Sequence, residues 1–118
     1  MRTCVRVSLF GAAVCSESVT VSGAEAVQPA RMGTYLKVAG LAQGSRPVYQ
    51  RVGETVTYLY YWPVFSDWYI GVNYTSNIVG LHSAVTAAAC PDQATGWLVS
   101  NGNALVSGYP VKVVQGAR

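Results

Sequence analysis

Residues 46–72 read RPVYQRVGETVTYLYYWPVFSDWYIGV, and the reading of this stretch decides the fold. It holds two of the three tryptophans and five of the eight tyrosines of the chain. Its apolar residues come in short runs broken by Gly53, Pro63 and Ser66-Asp67. Those residues punctuate strands rather than continue a helix. The pattern predicts three consecutive antiparallel strands, Arg46–Gln50, Val56–Trp62 and Asp67–Val72, as the middle of a small all-β domain. The expected architecture is an antiparallel β-sandwich or a partly closed β-barrel.

Strand alternation sorts the aromatic side chains. Tyr58, Tyr60 and Trp62 fall on one face, Leu59 and Tyr61 on the other. Trp68 and Ile70 share a face opposite Tyr69. One face has to be core, and Trp62, Trp68 and Trp97 are assigned to it. The other face then displays tyrosines.

Working outward, Cys4–Phe10 reads as a first strand and Ser18–Ser22 (SVTVS) alternates cleanly. Ala24–Met32 is interrupted by Pro29 and reads as a turn or loop. Thr34–Val38 is a strand and Gly40–Ser45 a turn. Asn73–Gly80 is loop-like, Ile78–Ser83 a strand, and Val85–Cys90 a helical turn ended by Pro91. Gly96–Ser100 is a strand, Asn101-Gly102 a hairpin turn, Asn103–Val106 its return, and Tyr109–Val114 the last strand. SVTVSGA at Ser18–Ala24 and VKVVQGA at Val111–Ala117 form a near-repeat, explained by equivalent strand positions, by a tandem array, or by chance within shared β-grammar. Residues 1–17 are taken as an N-terminal strand or extension and residues 18–118 as one all-β domain.

With 118 residues there is room for one core. Charged residues make up 11% of the chain, against roughly 25% in an ordinary domain. So neutral a surface suits an extracellular or matrix protein, a lumenal one, or a subunit covered by neighbours. The net charge of +3 comes from scattered basic residues, and nucleic-acid binding is not expected. The apolar Val7–Cys15 resembles a minimal signal peptide, but it is short and interrupted by Ser8, so it is read as a strand. No run approaches the ~20 apolar residues of a membrane-spanning helix, and none is expected. Of the three cysteines, Cys4 and Cys15 are near enough to bridge a hairpin, leaving Cys90 free or paired in place of one of them; equally, all are buried thiols of a reducing compartment.

The pieces VSGA, GTYLKV, SRPVYQRVG, YLYYW, DWYIG, CPDQATGWLV and NGNALV together resemble a little-characterised β-domain of algae, dinoflagellates, oomycetes and related protists. The likeness covers about residues 21–106. It implies a β fold and a protist-like source, and it brings no catalytic residue set. Ser45 stands where that family often has Asn.

For catalysis, the only histidine is His82, and a nucleophile needs both a base and an orienting group. Asp67 reads as a turn residue and Asp92 as a loop cap. His82, Cys90 and Asp92 match no zinc spacing, and no metal or cofactor is expected. The aromatic row is the stronger candidate, as a stacking platform for sugars or a surface for protein. Tyr58, Tyr60, Tyr61, Tyr69 and Arg46 are the expected binding residues. The leading expectation is a non-catalytic interaction or structural module, an accessory subunit of a larger assembly or a matrix component, with protein partners. The alternatives are a carbohydrate- or small-ligand-binding module using the same tyrosines, and a small hydrolase centred on His82. Asn73-Tyr74-Thr75 is an N-x-T sequon on a loop.

Overall fold

The structure, a computed structural model, describes residues 14–116. The expected strand Cys4–Phe10 lies outside them. The described residues form one sheet of nine antiparallel strands: β1 Ser18–Ser22, β2 Gly33–Gln43, β3 Arg46–Arg51, β4 Tyr58–Trp62, β5 Asp67–Gly71, β6 Leu81–His82, β7 Leu98–Ser100, β8 Leu105–Val106 and β9 Lys112–Gln115. Neighbours in sequence are neighbours in the sheet from β1 to β8, and β9 returns to pair with β1.

That last pairing dictates the shape. Laid flat, nine strands span about 38 Å at ~4.8 Å per step. The segment 107–111 that leads from β8 to β9 reaches only about 20 Å when extended. The two sides of the sheet must therefore approach one another, and the sheet curls into a half-barrel. Of the two expected architectures, the partly closed barrel is the one formed.

β1 obeys its alternation, with Val19 and Val21 buried and Ser18, Thr20 and Ser22 turned outward. The concave side collects Val19, Val21, Tyr35, Tyr49, Leu59, Tyr61, Trp68, Ile70, Leu81, Trp97, Val99 and Val113 into the main core. Trp68 and Trp97 are there as expected. Trp62 is not: its parity places it with Tyr60 on the convex side, half-buried in a second cluster around Val48, Tyr60 and Tyr69. Residues 72–80 fold back over that side, carrying Tyr74 and Val79 onto the cluster. As a result all five residues of β5 are buried.

Other departures have local causes. β2 runs on to Gln43, through an irregularity between Lys37 and Ala42 that Gly40 accommodates at φ 76°. The turn narrows to Gly44-Ser45, both at positive φ (60° and 64°), the two-residue geometry that matches strand twist. Val85–Cys90 is not helical. Its carbonyls are taken by side chains: Tyr61 donates to Thr86, and Arg46 donates to Ala87 and Ala88. The loop after β7 has four residues, because the Asn101 side-chain oxygen accepts from the backbone N–H groups of Asn103 and Ala104, so the return strand starts at Leu105. β1 and β9, the near-repeat, pair with each other, with Val21 opposite Val113.

Candidate functional site

The rim of the half-barrel nearest Trp62 is closed by the loop 83–97, and Arg46 is its main fastener. The guanidinium donates through Nη2 to Ala87 O (2.8 Å), through Nε to Ala88 O (2.9 Å) and through Nη1 to Gly44 O (2.7 Å). It lies 3.7 Å from the centre of the Tyr61 ring, a cation–π contact. Trp68 Nε1 adds a second bond to Ala88 O (3.2 Å), and the Tyr61 hydroxyl bonds Thr86 O (2.7 Å). Beside them Cys15 and Cys90 form a disulfide, Cα atoms 5.4 Å apart, so neither is a free thiol and Cys15 is not bridged to Cys4. Tyr49 donates to Ser16 O (2.7 Å), and Lys37 N to Glu17 O (3.0 Å), which ties residues 15–17 to the sheet.

The expected binding residues therefore meet different fates. Arg46 is engaged with backbone carbonyls. Tyr61 is buried in the main core. Tyr60 is fully buried, and its hydroxyl donates to Ser76 O (2.6 Å) in the covering loop. Tyr69 is also buried, and Tyr58 is half-buried with its ring edge against Tyr74. The expected display of exposed tyrosines is not formed, because Tyr61 belongs to the main core and Tyr60 and Tyr69 lie in the second cluster, onto which residues 72–80 carry Tyr74 and Val79. Burial also holds the hydroxyls of Tyr35, Tyr49 and Tyr60 above the usual phenol range.

What stays open on the convex side is a smaller group at the β4–β5 end. The half-buried Trp62 stacks on Tyr69, with centroids 5.6 Å apart and planes within 13°. The neighbouring strand brings His82 to the Tyr69 ring. His82 Nδ1 lies 3.0 Å from Ser83 O, an atom that can only accept, so Nδ1 carries a proton and Nε2 is the acceptor of the neutral ring. The same Nδ1 is 3.5 Å from Asp67 Oδ2. Asp67 is 5% exposed and its Oδ1 has no hydrogen-bond partner among the described residues. Burial raises its pKa, and the nearby His82 opposes the rise. Burial, and then the Asp67 carboxylate, likewise raise the Tyr69 pKa. The acid beside His82 is thus Asp67, read from sequence as a turn residue. Asp92 instead accepts from Gln115 Nε2 (3.2 Å), and Cys90 is oxidised, so the trio considered for zinc is not assembled.

At the tip of the same hairpin, Val64 and Phe65 are 74% and 55% exposed. A bond from Thr86 N to Ser66 O (2.8 Å) brings the exposed Val85 beside them. The sequence gives no signal for Val64 and Phe65, because Pro63 and Ser66 mark a turn, where apolar residues carry no periodicity, and Val85 reads only as the start of a helical turn.

No helix among the described residues is long and apolar enough to cross a membrane. Comparison with family models, with curated proteins and with solved structures returns no match for this chain, and the motif resemblance noted above rests on its residues alone.

Proposed function

We propose that the chain is a non-catalytic interaction module of an oxidising compartment, an accessory subunit or matrix component that meets a protein partner through the apolar tip of the β4–β5 hairpin. The observation that carries this reading is the tip itself. Val64, Phe65 and Val85 are exposed together on backbone held by Arg46, Tyr61 and the Cys15–Cys90 bridge. A rigid, apolar, uncharged surface loses little entropy on docking and gains from leaving water. The disulfide supports the compartment, since such bonds persist where thiols are not kept reduced. The test is the native mass of the protein isolated from its source, with co-purifying chains identified. The reading requires a complex that Val64→Asp/Phe65→Asp disrupts while the melting temperature is kept. A free monomer from the source counts against it.

The Trp62 group supports a second reading, a carbohydrate-binding site. The half-buried indole of Trp62 and the Nε2 of His82 offer a sugar one apolar face and one polar group. A glycan array probed with the protein and with Trp62→Ala decides this. Equal binding by both, or none by either, rules the site out.

A further inference from the structure

We propose that Asn73 is an N-glycosylation site, the glycan covering the loop 72–80 at the opposite end of β5 from the apolar tip. The inference rests on the oxidising-compartment reading above and adds a modification to it. Three observations support it.

First, Asn73-Tyr74-Thr75 has the acceptor sequence, and Asn73 and Thr75 are both exposed. The loop is not needed for any strand pairing at those positions.

Second, the local geometry suits the chemistry. Asn73 Oδ1 accepts from the Thr75 backbone N–H (2.9 Å) and from the Thr75 hydroxyl (2.7 Å). A backbone N–H can only donate, so the atom facing it is the oxygen and the amide nitrogen Nδ2 is turned away. Among the described residues Nδ2 makes no hydrogen bond. In the transfer, Nδ2 attacks the anomeric carbon of a glycan carried on a polyprenyl diphosphate. The N–C bond forms, the C–O bond to phosphate breaks, Nδ2 loses one proton, and the polyprenyl diphosphate leaves with the bonding pair. Electrons balance without an oxidant. The Thr75 hydroxyl that the acceptor sequence requires lies beside the same amide.

Third, the loop carries apolar surface that the fold leaves uncovered. Val72 is exposed and Ile78 is 81% exposed, on either side of the sequon. A bulky hydrophilic group between them shields both. The hairpin tip is separated from Asn73 by the length of β5, about 15 Å at ~3.4 Å per residue, so a glycan here leaves Val64 and Phe65 free to dock.

The experiment uses the protein from its source. Its intact mass is measured before and after peptide:N-glycosidase treatment, and the Asn73-containing peptide is sequenced for the Asn-to-Asp conversion that deglycosylation leaves. The expected result is a mass loss and conversion at Asn73. In a secreting eukaryotic host, Asn73→Gln and Thr75→Ala abolish the loss, and Thr75→Ser, which keeps the hydroxyl, restores it. Source protein with an intact Cys15–Cys90 bridge and an unmodified Asn73 overturns this inference and leaves the compartment reading standing. Free Cys15 and Cys90 thiols in the source protein overturn both.

Discussion

Replacing Cys15 and Cys90 by alanine removes the covalent tie between the segment before β1 and the loop over the rim. The bridge closes a loop of 75 residues, for which the chain-entropy relation gives about 4.5 kcal/mol of stabilisation at 25 °C. Unfolding entropy of ~2.1 cal/mol/K per residue over 118 residues comes to about 250 cal/mol/K, so the melting temperature falls by about 18 °C. Scanning calorimetry of the parent, of Cys15→Ala/Cys90→Ala, and of the parent under reductant is the assay. A Cys4→Ser background keeps thiol exchange out of it. The reduced parent and the double variant should melt together. Their folded states should stay alike, because Arg46, Tyr61 and Trp68 still hold residues 86–88. A shift below about 4 °C, close to 1 kcal/mol, would refute the argument that the bridge acts by restricting the unfolded chain.

Arg46→Ala should cost about 2–3 kcal/mol in urea unfolding, since charged hydrogen bonds to Ala87 and Ala88 are lost, and Arg46→Lys should not restore it because one ammonium cannot reproduce the planar fork. Trp68→Ala should lose about 3–5 kcal/mol, and Trp62→Ala, half-buried on the convex side, less than half of that in the same assay. The folded pKa of Asp67 lies above its unfolded value, so the folded state holds that proton more tightly and stability declines as pH rises through the carboxylate range; Asp67→Asn should flatten this decline in urea midpoints measured across that range. Tyr35, Tyr49 and Tyr60 resist ionisation when folded, so stability should fall as pH rises past about 10, with their absorbance change appearing only as the chain unfolds.

The sequence disclosed the parity of the strands better than their surroundings. Ser18–Ser22 has the bounds read from its alternation, and Tyr58, Tyr60 and Trp62 do share a face opposite Leu59 and Tyr61. Alternation says which residues lie together and is silent on whether another segment will cover them. Here Tyr61 falls on the main core side and residues 72–80 cover Tyr60 and Tyr69 on the other, so tyrosines expected at the surface are buried. Arg46 reads as a binding residue in the sequence because its acceptors are carbonyls 41 and 42 positions away, placed beside it only by the curl of the sheet. The same bonds defeat the helical propensity of Val85–Cys90, a case of tertiary contacts overriding a local preference. The partner of Cys15 was open for a related reason: spacing alone favoured its nearest neighbour, and the residue it meets lies 75 positions on.

The place of β9 beside β1 makes the strand order a rotation of the sequence order: β9 comes first, then β1 through β8 without a break. β1 and β9 run antiparallel, and Gly116 N bonds Ser18 O at 2.8 Å, so the two ends of the described chain path meet as the arms of a hairpin do. A permuted gene that opens within 107–111 and joins the residue after β9 to those before β1 would encode an uninterrupted nine-strand meander. Every pairing would then be between consecutive strands. The pairing of β1 with β9, the most distant in sequence, would become one of the most local, and topology of that kind speeds folding.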